Sequence, residues 1–378
     1  MKPTIGRFEL VRRLGRGGMG EVFLARDGDR QVVLKRLLPH LAHDRVLGEA
    51  FLREAGVAAR LSHPNIARVL ELGEASGGFF FTMEYVEGCD VRALGPLPVP
   101  VAAQIVADAA RALEAAHSAR DTAGRPLGVV HGDVTPKNLL VSADGVTRLI
   151  DFGLAKVRAN RDEDSAGGTW EYLAPEHALE GTTDERTDQF SLGVVAWELL
   201  TGRRLFAGDT DTLTLDQVVA CRVTPPRQVN PAVPPELDAL VMRMLARDPA
   251  ARFPRCQDVA EGLERWLSSS RVGDVRAELG GLTQRATEAQ TPTPVAAGPA
   301  PAPRLPQPSR ASTGPLTVWE KEALRRLGAL PQPIALETLE QLDLGRGAPP
   351  VLDVAQVLVE RGLLVRTDDG AFVVAGSD

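Results

Sequence analysis

His131-Gly132-Asp133-Val134-Thr135-Pro136-Lys137-Asn138, followed thirteen residues after Asn138 by Asp151-Phe152-Gly153, is the stretch from which the rest of the chain is read. It sets a potential proton acceptor, Asp133, in close register with two groups able to bind a metal, Asn138 and Asp151. Phosphoryl transfer asks little covalent chemistry of a protein. It needs a carboxylate at the incoming hydroxyl and hard oxygen ligands for the Mg²⁺ that travels with nucleotide phosphates. These residue types, in this order, meet both needs.

Upstream, Leu14-Gly15-Arg16-Gly17-Gly18-Met19-Gly20-Glu21-Val22 lies between two expected strands. Glycines at 15, 17 and 20 let backbone approach phosphates closely. A strand-turn-strand setting fits a phosphate-covering hairpin better than a dinucleotide fold, where a helix would follow. Alone, such a glycine pattern is weak and is equally a simple hairpin turn. Lys35, ending Val32-Val33-Leu34-Lys35, and Glu54, inside Phe51-Leu52-Arg53-Glu54-Ala55, follow at the spacing that gives it weight. Downstream stand Gly168-Thr169-Trp170-Glu171-Tyr172-Leu173-Ala174-Pro175-Glu176, then Asp188-Gln189-Phe190-Ser191-Leu192-Gly193, then Asp248-Pro249-Ala250-Ala251-Arg252-Phe253. Taken together, residues 8 to about 268 resemble a bacterial eukaryotic-like (Hanks-type) serine/threonine protein kinase.

That resemblance implies an α+β, bilobal protein-kinase fold: a β-rich N-lobe over about 8–84, a hinge over 84–90 and an α-rich C-lobe over 91–268. It implies ATP and Mg²⁺ as cofactors. Asp133 would act on the acceptor hydroxyl, Asn138 and Asp151 would hold the metal, and Lys35, paired with Glu54, would hold the α and β phosphates. Gly15, Gly17 and Gly20 would cover the phosphates, while Leu14, Val22, Val33 and Leu140 would wall the adenine. Val33 replaces the alanine usual in that motif, so the pocket should be slightly narrower. Backbone groups of Glu84 and Val86 would read the adenine edge beside a gatekeeper, Met83, and Asp90 would lie near the ribose hydroxyls. Asp151 to Glu176 would form the activation segment. Within it Thr169 would line the substrate hydroxyl site, favouring Ser and Thr acceptors, and the polar tip Arg161 to Ser165 offers Ser165 for autophosphorylation. Asp188 would brace the catalytic loop, and Arg252 would pair with Glu176.

The loop departs from the family pattern twice. Gly132 stands where an arginine usually receives an activation-loop phosphate, so activity is expected to depend little on such phosphorylation. Thr135 stands where Ser/Thr kinases carry a lysine that neutralises the γ-phosphate. Lys137 occupies the place where many tyrosine kinases carry a compensating arginine, and is expected to take over that role. These departures leave open a second reading, a pseudokinase that binds nucleotide and signals by contact. Against it, Lys35, Glu54, Asp133, Asn138 and Asp151 are all present. A small-molecule kinase would lack the Ala174-Pro175-Glu176 ending and the late arginine.

Composition bounds the rest. With 44% hydrophobic and 25% charged residues the chain is that of an ordinary folded protein, and a net charge of -7 argues against a general nucleic-acid binder. Cys89, Cys221 and Cys256 have no metal-ligand spacing and read as reduced thiols. No run of eighteen apolar residues occurs and the N-terminus has no signal-like segment, so a cytoplasmic protein without a membrane span is expected. Lys35 and Lys137 are two of only five lysines, beside Lys2, Lys156 and Lys321. His63 reads as a buried or capping residue and His131 as a packing residue under the loop.

Alternation and turn residues predict strands over Phe8–Leu14, Glu21–Arg26, Gln31–Arg36, Ile66–Leu72 and Phe79–Glu84, with helices over Asp44–Leu61 and Val99–His117. A helical extension over 269–290 leads to a Pro/Ala-rich linker over 291–315, able to span up to about 75 Å at about 3.1 Å per residue. Residues 316–378 regain periodicity: a helix over Val351–Gly362, then a hairpin of Leu363–Arg366 and Ala371–Val374 around Asp368-Asp369-Gly370, which resembles the end of a winged-helix domain. Six basic residues (Lys321, Arg325, Arg326, Arg346, Arg361, Arg366) against ten acidic ones make a protein partner the expectation there, and no nucleic acid.

Overall fold

A computed structural model describes residues 3–16, 20–38, 41, 45–75, 78–152, 170–270, 272–290, 327, 358, 364–366 and 372–374, with Glu54, Gln290, Val365, Arg366, Phe372, Val373 and Val374 described by their backbone alone. The chain divides into two compact units, residues 1–292 and 293–378.

The first unit begins with a six-stranded antiparallel sheet in the order β1-β2-β3-β4-β6-β5. Its strands are β1 Thr4–Ile5, β2 Phe8–Arg16, β3 Gly20–Asp27, β4 Arg30–Leu37, β5 Val69–Ala75 and β6 Gly78–Glu84. Side chains alternate faces along a strand. On β4, Val32 and Leu34 therefore enter one cluster with Phe8, Phe23, Ala25 and Phe80. The opposite face carries Val33, Phe79, Phe81 and Met83, packed against Phe51 and Ala55 of helix α1, Arg45–Ala58. Lys35 shares the Val33 face by the same alternation. Packing thus fixes the register that delivers Lys35 beneath the sheet.

The second part of this unit is built around α2, Val99–His117, whose alanines are almost wholly buried. Small side chains let its neighbours approach closely, and it packs on α4, Glu185–Thr201, and α8, Cys256–Ser269. Asp184 caps α4 by accepting from the Arg186 and Thr187 amides at 2.8 and 3.1 Å. The remaining helices are α3 Pro175–Glu180, α5 Asp211–Ala220, α6 Pro226–Val229, α7 Pro235–Met244 and α9 Val275–Gln290. Between the two parts lies a small antiparallel sheet of β7 Gly88–Asp90, β8 Leu139–Ser142 and β9 Thr147–Leu149.

The expected strands and helices of this unit are present; the first helix ends at Ala58 rather than Leu61, and one further shift is instructive. The fifth strand starts at Val69 rather than Ile66, because residues 65–67 bond to β9 instead: Leu149 N donates to Asn65 O at 2.8 Å and Ala67 N to Leu149 O at 3.1 Å. That crossing ties the sheet to the helical part directly behind the site.

In the second unit, β10 Leu364–Arg366 pairs antiparallel with β11 Phe372–Val374, Leu364 opposite Val374. The linker, the Asp368–Gly370 turn and most of the expected Val351–Gly362 helix lie outside the described residues. No helix among the described residues is long and apolar enough to cross a membrane.

Candidate active site

The loop His131–Asn138 is held from below by one buried carboxylate. Asp188, at the start of α4, accepts from the amides of His131 and Gly132, both at 2.7 Å, and lies 2.8 Å from His117 Nε2. Burial works against its charge. The hydrogen bonds and the histidines beside it outweigh that penalty and hold the carboxyl below its usual range. Gly132 sits between these anchors at φ +72°, the left-handed region in which a side chain is strained, and this is a local reason for glycine there.

Each loop residue then fixes the next. Asp133 N–H donates to His131 Nδ1 at 3.1 Å, which leaves His131 Nε2 to donate to Ile150 O at 2.8 Å and so defines the neutral tautomer. The His131 ring meets Phe152 edge-on, with centroids 4.7 Å apart. Asn138, on the short 3-10 turn Pro136–Asn138, donates from Nδ2 to Asp133 O at 2.7 Å and to Asp133 Oδ2 at 3.0 Å. Ile150 N donates to Asn138 O at 3.0 Å and delivers Asp151 beside it. Asp133, Asn138 and Asp151 therefore line one floor.

The roof comes from the sheet. Val22 lies opposite Lys35, Gly15 opposite Val22, and Val33 opposite Met83. Lys35 Nζ reaches Asp151 Oδ2 at 2.8 Å, and both side chains are largely buried. Asp151 has φ +63°, a strained conformation for an aspartate held in place by its surroundings. The expected Lys35–Glu54 pair involves a side chain outside the described residues, as do Gly17, Gly153, Thr169 and the Arg161–Ser165 tip. Leu14 is exposed while Val22, Val33 and Leu140 are half-buried, as an open apolar cleft requires. Beside Met83 a small hollow is lined by Ala55, Ala58, Ile66, Phe81 and Phe152 among others. Glu84 ends β6 and donates its N–H to Arg68 O, Val86 lies outside both neighbouring ladders, and Asp90 at the end of β7 stands opposite Leu140. Arg92 grips the Asp90 carboxylate at 2.8 and 3.2 Å.

On the far side of Asp133 a second hollow is lined by Thr135, Tyr172, Leu173, His177, Thr187 and Ser191. Thr135 Oγ1 is buried there without a hydrogen-bond partner. Burial pushes the His177 pKa down, so the ring is neutral near pH 7. Ser191 Oγ donates to Tyr172 O at 2.6 Å, and Tyr172 OH to Glu198 at 2.8 Å. The anticipated Arg252–Glu176 pair is bidentate at 2.6 and 2.8 Å, with Arg252 fully buried over the Phe190 ring. Lys137 is half-buried on the loop surface. Sequence reasoning missed His117, Gln189 and Glu198. Only their three-dimensional partners distinguish them from ordinary helix residues.

A divalent cation fits this floor. With Nδ2 committed to Asp133, Asn138 presents Oδ1, and Asp151 adds a carboxylate: the hard oxygens that Mg²⁺ prefers. Among the described residues no group of three His, Cys, Asp or Glu side chains could bind a metal unaided. This suits an ion that takes its other ligands from phosphates and water.

The sequence model of the protein kinase domain matches residues 8–262. Tyrosine-protein kinase MasK of Myxococcus xanthus is 39% identical over 73% of this chain and 45% of its own length. Serine/threonine-protein kinase PknB of Mycobacterium leprae is 37% identical over 68% of this chain and 43% of its own. The match thus spans under half of each of these relatives. The crystal structure of the Mycobacterium tuberculosis PknI kinase domain is similar with a TM-score of 0.53 at 30% identity, covering 70% of this chain and 97% of that one.

Proposed function

This chain belongs to the protein kinase family, and on that premise we propose that it transfers the γ-phosphate of ATP, with Mg²⁺, to serine and threonine hydroxyls of proteins. The observation that carries the proposal is the convergence of Lys35 and Asp151, 2.8 Å apart, over the Asp133–Asn138 pair at 3.0 Å. A cation for phosphate, two oxygen ligands for metal and a carboxylate for the acceptor face one cleft.

Asn138 Oδ1 and Asp151 would hold Mg²⁺, which would supply charge neutralisation for the phosphates. Lys35 places an ammonium beside the same phosphates, and Asp133, with its backbone locked by His131 and Asn138, orients the acceptor hydroxyl and accepts its proton. Lys137, four residues beyond Asp133, supplies the cation that Thr135 does not. Gly132 offers no guanidinium to a phosphorylated loop, so the loop His131–Asn138 is braced by Asp188 and Ile150 rather than by a loop phosphate. Thr169 and Glu54 complete the proposed set.

A tyrosine acceptor is the second reading, favoured by the Thr135 and Lys137 placements and by the name of the relative MasK. The C-terminal unit is proposed to bind a protein partner or regulator in the cytoplasm, its acidic balance disfavouring nucleic acid. Peptides ending the question are three of one sequence carrying Ser, Thr or Tyr, offered with γ-labelled ATP. Label on Ser and Thr is expected. Label confined to Tyr would replace the first reading with the second, and nucleotide binding without transfer to any acceptor would leave a pseudokinase.

A further inference from the structure

Helix α9, Val275–Gln290, lies beyond the family-matched residues 8–262, yet it is seated on the strand that carries Asp90. Val275, Leu279 and Thr283 fall on one face at four-residue spacing and are buried, with Leu282 and Ala286 packed beside them. The helix packs against α2, β7, β8 and the short turn Val91–Leu94.

Its seat is specific at three points. At the N-terminal end Arg276 makes a fork to the buried Asp108 of α2, at 2.8 and 3.0 Å, and also donates to Gly145 O at 3.2 Å. Asp108 in turn accepts from Thr147 N of β9 at 3.0 Å. In the middle, backbone meets backbone: a Cβ on Gly280 would lie 2.4 Å from Ala143 O, and one on Gly145 would lie 2.0 Å from Arg276 O. Near the C-terminal end Thr287 hydrogen-bonds the Cys89 thiol of β7, where burial raises the thiol pKa. Cys89 immediately precedes Asp90, and Arg92, which grips Asp90, sits in the turn that α9 also covers.

We propose that α9 is a positioning element for nucleotide, clamping β7 and the Val91–Leu94 turn so that the Asp90–Arg92 pair is presented to the ribose. The inference rests on the kinase reading for the ligand and on geometry alone for the clamp. It makes the nucleotide site of this chain extend to residue 290, well past the end of the matched family segment.

The test uses the full chain with Gly280→Leu, which forces α9 off the Ala143 carbonyl, and Thr287→Val, which keeps the side-chain shape but removes the hydroxyl that meets Cys89 and also donates to Thr283 O at 2.9 Å within the helix. Two readouts are taken. Alkylation of Cys89 by a maleimide is compared with that of Cys256, which is also buried, at 1% exposure against 5% for Cys89, and serves as the internal standard, the wild-type ratio being the baseline. Steady-state kinetics separate KM for ATP from kcat. In Gly280→Leu, Cys89 should react about tenfold faster relative to Cys256, as expected of a locally opened segment. KM for ATP should rise about fivefold with kcat within about twofold, the signature of lost binding that ground and transition states share. Thr287→Val should move both in the same direction by a smaller factor.

A Cys89-to-Cys256 alkylation ratio in Gly280→Leu no different from wild type would overturn the clamp. Exposed Cys89 with an unchanged KM would overturn its role in nucleotide binding and leave α9 a packing element. A wild type that binds no nucleotide would defeat the kinase reading together with the ligand half of this one, while the alkylation ratio would still decide the clamp.

Discussion

Asp188→Asn is the substitution on which the architecture of the loop depends most. The carboxylate receives the His131 and Gly132 amides at 2.7 Å each and His117 at 2.8 Å, in a site sealed from water. An asparagine keeps one acceptor oxygen. If that oxygen serves His131 N and His117, the Gly132 N–H faces an NH₂ group and loses its partner outright. One charge-assisted bond is worth about 1.5–3 kcal/mol, and the two that remain weaken once the acceptor is neutral. The sum is about 3–5 kcal/mol, in the range for breaking a buried charged cluster. For a domain of this size that lowers Tm by roughly 10 °C. Thermal unfolding of the full chain followed by circular dichroism measures it. The sign with pH is also fixed. Asp188 is held below the ordinary carboxylate range, so its stabilisation is present above about pH 3.9 and is lost as pH falls through its folded pKa. The gap between wild type and variant should therefore be full at neutral pH and close in strong acid. A Tm shift under about 2 °C at pH 7 would refute the reasoning, because three donors cannot lose their anion so cheaply.

Arg252→Met should destabilise by about 3–5 kcal/mol, since it strands the Glu176 carboxylate and the Ala246 and Arg186 carbonyls; urea unfolding would show it, and Glu176→Gln in the same chain should recover part of the loss. Lys137→Ala should lower kcat by about 10²-fold, as expected for one preorganised charge, with Lys137→Arg retaining most of the rate; equal rates in all three would remove Lys137 from the mechanism. Burial depresses the pKa of both His63 and His177. Their neutral forms are favoured in the fold, so stability is complete above the unfolded value of about 6.5 and falls as pH drops below it; the urea midpoint should decline between pH 7.5 and 5.5, and less steeply in His177→Asn.

The part of this site that sequence made legible is the part written in local chemistry. The glycine-bearing turn between β2 and β3, Lys35 two residues after Val33 on one strand face, and the Asp133-to-Asn138 spacing all act over short stretches, and periodicity or turn composition exposes them. The support of the site was hidden because it is assembled from distant segments. The family pattern marked Asp188 as the brace, but its partner His117 lies 71 residues away, and nothing in α2 distinguishes that histidine from a solvent-facing polar residue. The shortened start of β5 is of the same kind: residues 65–67 suit a strand, but Asn65 O and Ala67 N bond to Leu149 in another sheet, with Ile66 opposite it. Lys35 shows the limit most clearly. Its partner in the described structure is Asp151, 116 residues on, a pairing that depends on how the two halves of the unit close on each other. Gly132 was legible as a departure from a pattern, but its positive φ, which supplies a backbone reason for glycine, belongs to the folded loop.

The most direct test of the account compares wild type with Asp133→Asn for γ-phosphate transfer from labelled ATP in Mg²⁺, each protein also assayed for nucleotide binding in the same buffer. The account predicts that both bind nucleotide with similar affinity and that the variant loses transfer by about 10²-fold or more, because Asp133 orients the acceptor and takes its proton without holding the nucleotide. Transfer by Asp133→Asn at the wild-type rate, or equal failure of both proteins despite tight nucleotide binding, would contradict it.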